Sequence, residues 1–536
     1  MRGAWRHGRL TQSQPRPAGL STGEVVARAT GGAVDPVRRL PVEPGALSTE
    51  MVTAAGLAAG VCVRPVLARV TDLETGETQH VPIWCGSTRE DRCPACADRA
   101  RRLRMQQCRE GWHLDTEPEW STTEGDEDPA DVEHQADDNE PESGRRVRST
   151  RRRQGVPDLP KLPMDDRTVG RVYEAPDGKT YRPSMFLTLT LGSYGRVRGD
   201  GTPVDPGTYD YRRAALDALH FPKLVDRFWQ NLRRCAGYRV QYFATIEAQR
   251  RLAPHMHAAM RGTIPRAVIR QVRAATYHQI WWPAHDQPVY VDRLPQWSDD
   301  KAGYLDPDTG AVLPTWDQAL DSLDADPAHV LRFGDQDNIQ GLLAGSPGTD
   351  RAIGYLCKYL HKDVAATYDD EDASPARVAH IDRLAEHVRW LPCAPTCANW
   401  LRHGVQPKDA APGLVPGHCK HKAHERANLG LGGRRVLVSR LWSGKTLSEH
   451  RADRAAVVRA ALEEAGIDPD DHDELSVVGS DGRWSWELLG RSRVDGPTYA
   501  AAIAQVITTR QRWLREYEAA KTLAAARAGP APPAAA

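Results

Sequence analysis

The sequence predicts a mixed α+β fold, and three stretches carry the prediction. Met185-Phe186-Leu187-Thr188-Leu189-Thr190-Leu191 is a β-favouring run, half alternating and half wholly apolar, as a central strand is. Between Tyr211 and Cys235, the residues Leu216, Leu219, Phe221, Leu224, Val225, Phe228 and Leu232 recur at helical spacing and form an apolar stripe. Pro222 inside that stripe is expected to break or kink the helix. Arg239 to Glu247 and His255 to Met260 read as two strands, and the short connector between them makes them antiparallel neighbours. A helix from Arg266 to about Tyr277 follows. Next come a Trp-, Pro- and Asp-rich insertion (about 280–349) with little regular structure, and a helix that starts near Asp350.

A chain of 536 residues is too long for one ordinary core. Residues 1–50 lack periodicity and read as a disordered leader, followed by a Cys-rich segment (51–114). Residues 115–165 form a solvated linker, acidic and then abruptly basic, with almost nothing apolar to bury. The folded unit spans 166–370, a second Cys/His-rich and basic segment 371–450, a helical region 451–521 and an Ala/Pro tail 522–536. The formal net charge of zero conceals thirteen acidic residues between Asp115 and Glu142 without a Lys or Arg, so the remainder carries a net +13. That remainder is basic enough to bind nucleic acid. The N-terminus leads into no apolar stretch of signal length, and no run of roughly 18 apolar residues occurs, so the expected location is cytoplasmic and no membrane partner is expected. In a reducing compartment the ten cysteines point to metal ligation or burial rather than to disulfides.

Two features carry chemistry within the folded unit. His255 and His257, two apart on a strand, point to one face, and two neutral imidazoles are half of a divalent-metal site. Glu247, at the end of the preceding strand, comes back beside them if the strands pair, leaving coordination positions open for a phosphate oxygen and water. Downstream, Tyr355 and Tyr359 are four apart, as are Lys358 and Lys362, and on a helix each pair shares a face. A phenol beside an ammonium group suits attack on a phosphodiester.

In this order, Phe186-Leu187-Thr188-Leu189-Thr190, then Glu247 with Pro254-His255-Met256-His257, then Tyr355-x-x-Lys358-Tyr359-x-x-Lys362, the motifs resemble those of the HUH endonucleases that initiate rolling-circle replication. The segments Tyr209-Asp210-Tyr211-Arg212-Arg213, Cys397-Ala398-Asn399-Trp400-Leu401-Arg402 and Gly432-Gly433-Arg434-Arg435-Val436-Leu437-Val438-Ser439-Arg440 are similar to the initiators of actinobacterial plasmids and integrative conjugative elements. The resemblance implies a central antiparallel sheet flanked by helices. It also implies Mg²⁺ or Mn²⁺ on His255, His257 and Glu247, with Tyr359 as nucleophile, Lys362 assisting and Tyr355 as second tyrosine. The implied reaction is strand-specific nicking and rejoining of origin DNA through a 5′-phosphotyrosine, with a host helicase and DNA polymerase as partners. A conjugative relaxase or HUH transposase would use the same chemistry, but a single His-x-His argues against the three-histidine cluster of mobilisation enzymes. A zinc-dependent DNA-binding regulator is the rival of another class.

Cys93-Pro94-Ala95-Cys96 is a tight knuckle, and with Cys85 and Cys62 it would complete a tetrahedral zinc site, Cys108 being the rival fourth ligand. Cys393, Cys397, Cys419 and His424 form a second structural zinc set, with His403, His418 and His421 in reserve. Arg434, Arg435, Arg440 and Lys445 read, with Lys358, as DNA-backbone contacts. Gly444-Lys445-Thr446 is no ATP-binding loop, because Ser439 stands where the upstream glycine is required.

Overall fold

The computed structural model describes residues 48–118, 157–454 and 484–528, apart from short gaps at 115, between 160 and 179, and at 324–325, 368–372, 433–434 and 491–492. Residues 1–47 of the leader, most of the linker, Arg434, residues 455–483 of the expected helical region and the end of the tail lie outside the described residues. Two compact units emerge, Met1–Ala100 with Ala452–Ala536, and Arg101–Arg451. In chain order the elements are α1 (Thr49–Ala58), β1 (Val66–Asp72), β2 (Thr78–Ile83), α2 (Pro94–His113), β3 (Tyr173–Glu174), β4 (Thr180–Tyr181), β5 (Pro183–Leu191), α3 (Tyr211–Ala236), β6 (Tyr242–Ala248) and β7 (Pro254–Arg261). They continue with α4 (Arg266–Ala275), β8 (Tyr277–Ile280), β9 (Gln296–Ser298), β10 (Gly303–Leu305), α5 (Trp316–Asp321), β11 (His329–Leu343), α6 (Pro347–Leu356), α7 (Pro375–Trp390), β12 (Val436–Val438), β13 (Trp484–Leu489) and α8 (Gly496–Ala528). Among the described residues no helix is long and apolar enough to cross a membrane.

The larger unit is built on a six-stranded sheet of order β12-β6-β7-β5-β11-β8, antiparallel at every pairing. Every residue of β6 and β7 is buried, because both faces of the sheet are covered. One face packs Met256, Ala258 and Met260 under α3, α4 and α7, while Ala259, Phe186 and Phe243 of the other face pack with Ile353, Leu356 and Trp442. Gly111 on α2 is a close-approach position, since a Cβ there would lie 2.2 Å from the buried Trp442 ring.

Within the larger unit, three expectations are revised. Of the break or kink expected at Pro222, the break is excluded, since α3 is one helix from its Asp210 cap to the left-handed Gly237. A helix-interior proline costs about 3 kcal/mol, but Phe221, Leu224, Val225, Phe228 and Leu232 are almost wholly buried, and each contributes roughly 1.5–3 kcal/mol. The insertion between about 280 and 349 holds more regular structure than expected: it supplies β9, β10, α5 and the fifteen-residue β11, which pairs with both β5 and β8. Its alternation is masked by the polar run Asp335 to Asn338, where the register shifts in a bulge and Asp337 pairs with Arg273 at 2.6 Å. Finally, α6 stops at Leu356, so Lys358, Tyr359 and Lys362 follow it in a turn. There the Arg435 guanidinium takes the carbonyls of Tyr359, Leu360 and Lys362, which a continuing helix would have used.

The smaller unit carries a three-stranded antiparallel sheet, β13-β1-β2, with a core of α1 and α8 residues. Its strand β13 lies within the stretch read as helical, and α8 continues through Thr522 to Ala528, past the expected start of the tail.

Candidate active site and metal centres

Pairing of β6 with β7 sets Glu247 opposite His255 and Thr245 opposite His257, while β5 sets Thr190 and Thr188 against the same two histidines from the other side. The potential ligand atoms of Glu247, His255 and His257 all lie within 4.8 Å of one another. His257 Nδ1 is 2.8 Å from Thr188 Oγ1, which leaves Nε2 to face inward, 2.7 Å from Nε2 of His255. Thr188 was missed as a site residue; its place in the strand motif, in register with His257, was the signal. A hydroxyl held to one ring nitrogen fixes the orientation of a metal-ligating imidazole.

Burial pushes His255 down to about 4 and His257 down to about 2, so both rings are neutral and carry lone pairs near pH 7. Burial also pushes the Glu247 carboxyl up to about 7, against the pull of Arg435 and Lys358, and its Oε1 makes no hydrogen bond. Two neutral imidazoles and an unsatisfied buried carboxylate fit a divalent cation. Because the folded-state value of Glu247 lies above the unfolded one, burial of its charge costs nothing below about pH 4 and its full penalty above about pH 7, on the order of 3 kcal/mol. Glu247→Gln is therefore expected to raise the melting temperature of the metal-free protein at pH 8 but not at pH 4. An equal effect at both values would count against a buried carboxylate.

Of the two tyrosines, α6 brings Tyr355 to this cluster. Its hydroxyl is 3.3 Å from His257 Nε2, its ring stands edge-on 4.9 Å from the His257 ring, and Phe186 packs against both. Desolvation and the nearby Glu247 hold the Tyr355 phenol above its ordinary value. Tyr359 lies beyond the helix end, with the Lys358 ammonium 4.8 Å from its ring centre. The contact with Tyr359 strengthens Lys358's hold on its proton. Lys362 is placed in the same turn, its carbonyl engaged by Arg435. Of the expected DNA contacts, Arg440 is exposed, Lys445 lies 3.7 Å from Glu110 and Arg435 is engaged by the Lys362 carbonyl; Trp442, which lies between Arg440 and Lys445 in sequence, is a core residue.

Both Cys/His sets assemble as expected. Cys62, Cys85, Cys93 and Cys96 bring their sulfurs within 4.8 Å of one another, and so do the donor atoms of Cys393, Cys397, Cys419 and His424. Either set can hold a metal such as zinc. His424 Nδ1 is 2.8 Å from the Val388 carbonyl oxygen, which frees Nε2 for ligation. Cys108 is instead packed with Trp112 and Cys357, and His403 contacts the Gln287 carbonyl.

Residues 48–508 match a family model described as "Replication initiator protein, pSAM2". The chain belongs to this replication initiator family. The initiator is also similar to a replication initiator protein of Streptomyces ambofaciens, 25% identical over 370 residues that cover 62% of this chain and 72% of that protein. No solved structure matches the initiator.

Proposed function

We propose that the chain initiates rolling-circle replication as a metal-dependent endonuclease of the HUH type, cutting and rejoining one strand of origin DNA. The observation that carries this reading is the Tyr355 hydroxyl 3.3 Å from His257 on a cluster of two imidazoles and a carboxylate. His255, His257 and Glu247 would hold Mg²⁺ or Mn²⁺, which when bound withdraws charge from a phosphate oxygen. Tyr355 attacks phosphorus: its phenol yields a proton to water, the Oη–phosphorus bond forms and the phosphorus–O3′ bond breaks. The leaving oxygen takes up a proton and becomes the 3′-hydroxyl that primes a host polymerase, while the 5′-phosphate stays on the tyrosine. Attack is thus assigned to Tyr355, in place of the sequence-based choice of Tyr359, which keeps the role of second phenol. The ammonium of Lys358, near both phenols, offers countercharge to the phosphate, and Lys362 in the same turn can assist. Exposed cations such as Arg440 suit the DNA backbone. With no ATP-binding loop read in the sequence, unwinding falls to a separate helicase.

The test is cleavage of an end-labelled single strand bearing the origin. Mg²⁺ or Mn²⁺ is expected to be required, and His257→Ala is expected to lose activity by a factor of at least about 10². Absence of cleavage across all candidate origin sequences would favour a zinc-dependent DNA-binding regulator.

A further inference from the structure

Within the smaller unit, a cleft of about 270 Å³ lies where the end of β2 meets α8. Val506, Thr509, Arg510 and Trp513, spaced to share one helical face, form one wall, and Pro82 and Trp84 form another. The Arg99 guanidinium sits 5.1 Å from the centre of the Trp84 ring. A second cavity, of about 410 Å³, flanks the same β2-to-knuckle segment and is lined by Arg64, Arg92 and Ser87. Among the described residues no carboxylate lines either concavity. Among the described residues neither Arg99 nor Arg510 has a carboxylate partner.

We infer that this cleft binds single-stranded DNA, an unstacked base lying against Trp84 and Trp513 and its phosphate meeting Arg510. The inference deepens the proposed function, resting on it only in that the chain acts on DNA. Indole faces accept any base, and neighbouring cations follow the backbone, which together make a binding platform indifferent to sequence. Bases in a duplex are already stacked on each other, so an isolated two-tryptophan cleft selects single strands. Trp84 precedes Cys85, so the four-cysteine set anchors one wall, while the other wall belongs to α8.

Fluorescence anisotropy with a labelled oligothymidylate, using the full chain, tests the idea on α8 residues remote in sequence from the cysteines. Trp513→Ala is expected to weaken binding roughly tenfold, and Trp513→Phe, which keeps a stacking face, to retain most of the affinity. Arg510→Ala is expected to weaken binding a few-fold and to reduce the salt slope by about one. If Trp513→Ala melts early, the exposed Arg510→Glu provides the same test without loss of core. Parental binding in these folded variants would overturn the inference and leave the cleft to a protein partner. Should the parent cleave origin DNA while the variants bind normally, only this inference fails. Should the parent bind through Trp513 but never cleave, it is the nuclease reading that falls.

Discussion

Tyr355→Phe is expected to abolish the covalent protein–DNA adduct, lowering cleavage by at least about 10³-fold, whereas Tyr359→Phe keeps the adduct. The expectation rests on reach. Tyr355 closes the last turn of α6 directly over β7, where its hydroxyl meets the imidazole that Thr188 holds in place. A phenol on the cluster can be aligned with a phosphate bound there, and losing the attacking oxygen leaves no substitute nucleophile at that position. Phenylalanine preserves the contacts with Phe186 and His257, so the variant should fold, bind divalent metal and bind DNA as the parent does. An adduct surviving in Tyr355→Phe but lost in Tyr359→Phe would move the attack to the turn beyond the helix.

The second large effect concerns Cys393, Cys397, Cys419 and His424. Trp400, Trp316 and Val405 are buried around Cys397, and Gln406 ties the same region to the insertion by accepting from the Tyr304 backbone N–H and donating to the Leu313 carbonyl. Between Arg402 and Gly417 the chain has little regular structure, and a metal held by these four side chains would tie it down. Cys397→Ser, or extraction of the metal by a strong chelator, is expected to remove several kcal/mol and lower the melting temperature by about 10 °C or more. Calorimetry beside a zinc assay checks this. A protein that melts unchanged without zinc would show the four side chains to be ordinary core.

Much of the site was legible because strand periodicity is short-range. Residues two apart share a face, so His255 and His257 could be placed together from sequence, and a short connector returned Glu247 to them. The Cys sets were legible because thiol spacing is itself the signal. What could not be read depended on distant partners. The end of α6 at Leu356 is favoured by Arg435, more than seventy residues away, whose guanidinium takes carbonyls a longer helix would need. That one turn separates Tyr355 from Tyr359, which helical spacing alone had placed on a common face. Likewise β11 was hidden because its bulge interrupts the alternation, and Pro222 was overruled by burial of its neighbours.

The central claim is that Tyr355, on the His255–His257–Glu247 cluster, is the residue joined to DNA. Trapping the adduct on a single-stranded origin substrate with Mn²⁺, digesting it and locating the nucleotide-bearing residue by mass spectrometry tests this most directly. The expected result is a nucleotide on Tyr355, formed only with divalent metal and absent in His257→Ala. A nucleotide found on Tyr359 alone, or an adduct that forms equally well in chelator, would contradict the account.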